Sequence, residues 1–216
     1  EGLGNKFLSH IREVDAVVEV VRAFENADIH HVTGRINPAE DIETINTELI
    51  LADLATAEKA VSRLEKEAKA GDAKIKKHLE AALEIKTLLG TGKPASAFAA
   101  LQEEAKELLN ELHLLTAKPF LYVFNVSEAD VQPCAMLGFA QTVQSRALHS
   151  LCLNIKLEDE IAQLGEDAGE LANESHLGEL IKKAYEVVGL ITFFTTGEDE
   201  TRAWAIPKNS TAPRAG

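Results

Sequence analysis

Apolar residues fall along this chain in two rhythms, and each switch between them marks a change of element. Residues 3–13 (LGNKFLSHIRE) place Leu3, Phe7, Leu8 and Ile11 on one helical face, and the Val-rich run DAVVEVVRAF at 15–24 follows as a strand. The polar loop at 25–41 contains Gly34 and Pro38, which argue against regular structure there. From 41 to 70 the period becomes helical. Ile50, Leu54, Ala57, Val61, Leu64 and Ala68 recur at alternating spacings of four and three, a heptad seam with Glu and Lys on most outer positions. Ala70-Gly71-Asp72-Ala73 then offers a C-cap glycine and an N-cap aspartate. A second helix carries Ile75, Leu79, Ala82, Ile85 or Lys86, and Leu89. So short a break predicts antiparallel neighbours, a helical hairpin about 45 Å long at ~1.5 Å per residue. Residues 98–115 are helical again through Phe98, Leu101, Ala105, Leu108, Leu109 and Leu112.

The run Phe120-Leu121-Tyr122-Val123-Phe124 has no polar alternation and reads as a strand buried on both faces, as in a parallel sheet. Asn125-Val126-Ser127-Glu128 follow at its carboxyl end, where open parallel sheets bind ligands. Downstream, 134–148 reads as a helix, SLCLNI (150–155) as a strand, and LEDEIAQL and 176–190 as helices. The segment ITFFTTGEDETRAWAIP reads as a β-hairpin turning at Gly197-Glu198-Asp199. The fold class is therefore α/β, with a helical hairpin inserted between strands of one sheet and a β element near the end.

Composition narrows the function classes. A hydrophobic fraction of 45% with 26% charged residues is that of a soluble globular protein. The net charge of −13 speaks against a broad phosphate-binding surface, and no DNA partner is expected. A local basic excess does occur toward the hairpin tip, at Lys59, Arg63, Lys66, Lys69, Lys74, Lys76 and Lys77. It is compatible with touching RNA, beside the plainer reading of a solvated face. No apolar run approaches the ~20 residues that cross a bilayer, and no signal peptide is visible, so no membrane partner is expected. Cys134 and Cys152, without a C-x-x-C pair, read as two reduced thiols in a cytosolic protein. The His residues are scattered, and no metal site is expected.

Asn125 and Glu128 admit two readings. The plain one is a strand exit followed by a helix cap, where Asn, Ser and Asp are common. The sharper one is base recognition, in which a strand-end amide bridges base and phosphate loop and a carboxylate three residues on accepts from the base edge. An Asp at that place accepts two hydrogen bonds from guanine. The longer Glu128 does not keep that geometry, so guanine preference weakens. The pattern N-x-x-E is weak alone, since Asn37-Pro38-Ala39-Glu40 also matches it with no strand leading in.

Longer stretches carry more. EGLGNKFLSHIREVDAVVEVVRAFENADIHHV, KPFLYVFNVSE and ITFFTTGEDETRAWAIPKNSTAPRAG together resemble the Obg-like ATPase family, also called YchF. The likeness covers nearly the whole chain and is most specific at residues 1–50, 118–128 and 191–216. It implies a partial P-loop NTPase sheet, an inserted antiparallel coiled-coil hairpin and the start of a β-rich TGS domain. The expected division is a nucleotide-domain segment at 1–40, the coiled-coil insertion at 41–115, a second nucleotide-domain segment at 116–190, and TGS from 191 to 216.

The resemblance also implies a function: binding and hydrolysis of ATP with Mg2+, GTP less well, in a cytoplasmic, ribosome-associated protein. Asn125, Val126 and Glu128 would read the purine, Val126 through its backbone, and backbone groups of Asn154 and Ile155 would help frame the base. Ile155 is bulkier than the small residues the family places there. Phe24 is either an aromatic wall against the adenine or a core residue at a strand end. No G-x-x-x-x-G-K-[ST] loop occurs here, because Gly90-Thr91-Gly92-Lys93 lacks the spacing. Catalytic groups and Mg2+ ligands are therefore expected outside this chain, which is expected to be an inactive fragment by itself. Its start at Glu1 and end at APRAG point the same way. A rival from another class is a coiled-coil scaffold without nucleotide chemistry. At the tail, Trp204 reads as a hairpin-core residue, against the alternative that Arg202 and Trp204 mark a TGS surface.

Overall fold

The computed structural model describes residues 4–26, 28–31, 34–98, 103–127, 149–197, 200–211 and 213. The chain divides into two compact units, Glu1–Val17 with Glu40–Pro119, and Val18–Ala39 with Phe120–Gly216.

The first unit is helical. Helix α1 (Asn5–Glu13) precedes strand β1 (Val17–Arg22), and α2 (Pro38–Glu67) is the long helix of the seam. It begins earlier than the loop reading at 25–41 allowed. Pro38 takes the first helical turn, where its missing N–H leaves no bond unmade, and Glu40 and Asp41 complement the positive end of the helix. After a short 3-10 turn, Gly71 adopts φ +88°, which a Cβ would strain, and its N–H donates to the Ala68 carbonyl. Asp72 then caps α3 (Ala73–Gly90), its Oδ1 accepting from the N–H groups of Lys74 at 2.7 Å and Ile75 at 3.3 Å.

Helix α4 (Glu103–Leu112) is shorter than the 98–115 expectation. Phe98 lies outside it, following a 3-10 turn at Ala95–Ala97, and Leu101 is outside the described residues. Helices α2, α3 and α4 share one apolar core. It contains Ile50, Ala57, Val61 and Leu64 from α2, Ala81, Ala82, Ile85 and Leu89 from α3, and Ala105 and Leu108 from α4. Ile85 is fully buried, whereas Lys86 sits at the margin and pairs with Glu58 of α2 at 3.7 Å. Glu58 and Lys86 stand equally far in sequence from Asp72, so α2 and α3 run antiparallel. The pairs Lys74–Glu107 and Lys77–Glu104, both 2.6 Å, give α3 and α4 the same relation.

One buried carboxylate lies among these apolar side chains. Asp53 on α2 is wholly inaccessible, and its Oδ1 accepts from the Leu115 N–H at 2.8 Å. Its Oδ2 accepts from the N–H and the hydroxyl of Thr116, each at 2.7 Å, while Thr116 Oγ1 accepts from the Ala95 N–H. The Arg12 guanidinium stands 3.9 Å from Asp53 and also donates to Thr56 Oγ1 and to the carbonyl of His113. Burial pushes the Asp53 carboxyl above its ordinary range, against the pull of Thr116, Leu115 and Arg12. Arg12 thus ties α1 to α2. On the helical face read from sequence, Phe7 is 53% exposed, so α1 buries less of that face than its pattern offered.

The second unit is built on a three-stranded sheet of order β1-β2-β3, with β2 (Phe120–Asn125) in the middle and β3 (Ser150–Leu153) beside it. Strands β2 and β3 are parallel, with Tyr122 opposite Ser150 and Asn125 opposite Leu153. The Val17 N–H donates to Pro119 and the Ala23 N–H to Asn125, so β1 runs parallel to β2 as well. Leu121 through Phe124 are all buried, as a central parallel strand requires. On the outer strand, Val18 and Val20 are exposed, so the Val-rich run is only half covered.

Helix α5 (Ile155–Leu164) follows β3 directly, which shortens the 150–155 strand reading by two residues. Helix α6 (Leu177–Val188) lays Leu180, Ala184 and Val187 on Leu121, Val123, Leu151 and Leu153. Gly189 ends α6 at φ +70°, and strands β4 (Leu190–Thr196) and β5 (Thr201–Pro207) form an antiparallel hairpin with Phe193 opposite Trp204. Trp204 is 47% exposed and donates from Nε1 to Thr195 Oγ1, so it is a surface residue and not hairpin core. A hairpin of two strands has no second layer to bury an indole. The helix read at 134–148 lies outside the described residues.

Candidate functional site

The three parallel strands end at one edge, and most of the residues singled out in the sequence stand at that edge. Strand β1 leaves through Ala23 and Phe24, β2 through Asn125 and Val126, and β3 through Asn154 and Ile155. Backbone bonds hold these exits in register: Ala23 N–H to Asn125 carbonyl at 2.8 Å, and Val126 N–H to Leu153 carbonyl at 3.1 Å.

The Asn125 side chain spans the gap between two of the exits. Its Oδ1 accepts from the Ile155 N–H at 3.2 Å, a group that opens α5 and has no intrahelical partner of its own. With Oδ1 so engaged, the amide orientation is set, and Nδ2 has no hydrogen-bond partner among the described residues. Asn154, not Asn125, is the helix cap, its side chain accepting from the Leu157 N–H at 3.1 Å. The helix that this stretch would cap on the plain reading lies outside the described residues. The Ile155 N–H that backbone framing of a base would call on is already taken by Asn125, and the Ile155 side chain is 36% exposed. Val126 is buried, 2% exposed, so only its backbone can meet a ligand. Glu128 lies outside the described residues.

Phe24 is half-buried, between the two readings given to it. Sequence reasoning missed its neighbour. The Arg22 guanidinium lies 4.8 Å from the Phe24 ring centroid and donates to the carbonyls of Phe24, Asn26 and Ile29. The sequence signal was a cation at the end of a Val-rich strand whose other charged residue is Glu19.

Cys152 on β3 is buried and disulfide-bonded, which corrects the reading of two reduced thiols. The other cysteine, Cys134, lies outside the described residues. A disulfide needs Cα atoms within roughly 7 Å, and spacing along the chain does not report that distance. Among the described residues, no group of three His, Cys, Asp or Glu side chains could hold a metal ion. No helix among them is long and apolar enough to cross a membrane.

Comparison with known proteins gives this edge a context. The chain is 44% identical to the ribosome-binding ATPase YchF of Bacillus subtilis over 99% of its own length, and 40% identical to that of Escherichia coli O157:H7 over 100%. It is 37% identical to Obg-like ATPase 1 of Saccharomyces cerevisiae over 100%. The chain belongs to the YchF/Obg-like ATPase family. Residues 190–216 match the family model YchF-GTPase_C, described as a protein of unknown function (DUF933). The YchF GTPase structure of Schizosaccharomyces pombe superimposes with a TM-score of 0.81 at 32% identity, over 99% of this chain and 61% of that one. The chain spans 61% of the length of the two bacterial YchF proteins and 58% of the yeast protein.

Proposed function

We propose that this chain carries the base-reading edge and the helical arm of a YchF-type P-loop ATPase. The observation that carries the reading is Asn125: one end of its amide is fixed by Ile155, so the other end is a pre-oriented donor at the mouth of a parallel sheet. A purine ring nitrogen is an acceptor that suits it. Glu128, three residues on, accepts from the exocyclic amine of adenine more readily than it brackets guanine. Phe24 forms an aromatic wall, and Val126 and Asn154 contribute backbone to the pocket.

In a longer chain that also holds a phosphate-gripping loop and Mg2+ ligands, this edge selects ATP over GTP, and hydrolysis rests on those other groups. Alone, the 216 residues bind nucleotide weakly and do not hydrolyse it, because phosphate contacts supply most of the affinity in such folds. The protein works in the cytoplasm at the ribosome, residues 41–115 forming a coiled-coil arm and residues 191–216 opening a TGS domain. The bacterial relatives are ribosome-binding ATPases, which supports this and weighs against the scaffold reading.

Calorimetry on a full-length protein containing this segment tests the reading. ATP is expected to bind more tightly than GTP. Asn125→Ala should cost about tenfold in ATP affinity, and Glu128→Asp should move preference toward GTP. A protein that favours GTP before any mutation, or that ignores Asn125→Ala, sinks it. In the scaffold reading, deleting 50–90 would abolish partner association while nucleotide had no effect.

A further inference from the structure

The Arg22 side chain binds three backbone carbonyls in the loop after β1 and also covers the aromatic residue assigned to the pocket. Arg22 uses Nε, NH1 and NH2 on three different carbonyls, those of Phe24 at 3.2 Å, Ile29 at 3.0 Å and Asn26 at 3.2 Å. A planar guanidinium with five N–H groups can serve three acceptors fanned around it, whereas an ammonium cannot hold the same spread in one plane. The same group lies over the Phe24 ring at 4.8 Å, within cation–π range. Asn26 adds a local turn, its Oδ1 accepting from the Asp28 N–H at 2.8 Å. The described residues of the polar, Gly-containing stretch after β1 form no helix or strand before Pro38. Its first residues are nonetheless ordered around one cation.

We propose that Arg22 is a positioning residue for adenine recognition: it fixes the backbone at Phe24, Asn26 and Ile29 and holds the Phe24 ring ready to stack on the base. This rests on the assignment of the β-edge as the base site. The chemistry follows from the contacts. Stacking an aromatic side chain on a base is favourable only after the ring has given up its rotamer freedom and the loop its backbone freedom. A clasp that removes both before binding strengthens the complex without touching the ligand. The guanidinium also keeps one ring face covered, which confines a base to the ring surface it leaves open. Because every purine and pyrimidine has a stacking face, Arg22 governs affinity, and selectivity between bases stays with Asn125 and Glu128.

The test uses a full-length protein containing this segment, with adenosine as a probe without phosphate, followed by NMR of the Phe24 ring and the Asn125 side-chain amide. In the unmodified protein adenosine is expected to shift both signals. Arg22→Gln should weaken adenosine binding about fivefold and abolish the ring-current shift at Phe24, while the Asn125 amide still responds and the β2 and β3 amides keep their positions. Arg22→Lys retains the charge but not the three-way fork, and should fall between the two. If Arg22→Gln unfolds the sheet, Arg22→Lys alone decides, by whether the Phe24 shift is reduced. Unchanged affinity and an unchanged Phe24 shift in a folded variant overturn the proposal. Absence of any adenosine shift at Asn125 and Phe24 in the unmodified protein overturns the base-site reading itself.

Discussion

Asp53 and Asn125 are both polar side chains at apolar elements, and their surroundings differ in kind. Around Asp53, three donors from the 115–116 turn and the nearby Arg12 use up the carboxylate, and no water reaches it. Around Asn125, one bond fixes the amide and leaves its other end open at a strand exit. A closed set of partners makes a joint that holds backbone segments together. An open set, oriented by one bond, makes a recognition group. The contrast separates the helical unit, where polarity is used for cohesion, from the sheet edge, where we propose that it is used for contact.

The sharpest way to break that contrast is to empty the joint. Asp53→Ala strands two backbone N–H groups and a hydroxyl in an apolar surround, and is expected to destabilise the helical unit by about 3–5 kcal/mol in chemical denaturation. A loss below about 1 kcal/mol would show that the turn re-pairs elsewhere. Next in size, Ile85→Ala removes a fully buried side chain from the three-helix core and should cost about 3 kcal/mol, read as a shift in denaturant midpoint at constant slope. Asp72→Ala deletes the α3 cap and should cost about 1 kcal/mol, visible as earlier melting of the helical signal.

Asn125→Ala is expected to lower stability by less than about 1 kcal/mol, because its half-exposed donor partner can turn to water. The same substitution is expected to weaken ATP binding about tenfold in the full-length protein. A large stability loss there would erase the contrast with Asp53.

The smallest effect is one of pH. A carboxyl raised above 3.8 keeps its proton more tightly in the folded protein than in the unfolded chain. Its favourable contribution is complete below 3.8 and is lost as pH rises through the elevated value. The stability of the unmodified chain relative to Asp53→Asn should therefore decline as pH climbs through that interval. A difference that grows with pH instead would mean that the hydrogen bonds, not burial, set the titration.

Local patterns foretold a good part of the fold. The heptad spacing named Ile50, Ala57, Val61 and Leu64, and all four are buried in one core. Gly71 and Asp72 were legible as caps because each acts within a few residues of itself. The unbroken apolar run at 120–124 was legible as a central strand for the same reason: its two buried faces are written directly in composition. Where the readings failed, the missing information was a distance between segments. The bond partners of Asp53 lie more than 60 positions away, and nothing near Asp53 signals them. Trp204 looked like core because indoles usually are, but its hairpin has no covering layer. Cys152 looked like a free thiol because chain spacing says nothing of sulfur spacing.

The sequence by itself determined the alternation of elements, the helical seam with its capped break and the parallel strand, since each follows from periodicity, whereas the proposed site list of Phe24, Asn125, Val126, Glu128, Asn154 and Ile155 came with the family resemblance. Tertiary structure alone decided what those side chains touch. It gave the cap to Asn154 and the bridging amide to Asn125, enclosed Asp53, and set Arg22 over Phe24. Periodicity fixes which face a residue occupies, whereas hydrogen bonds of about 3 Å between distant segments exist only once the packed backbone has brought those segments together.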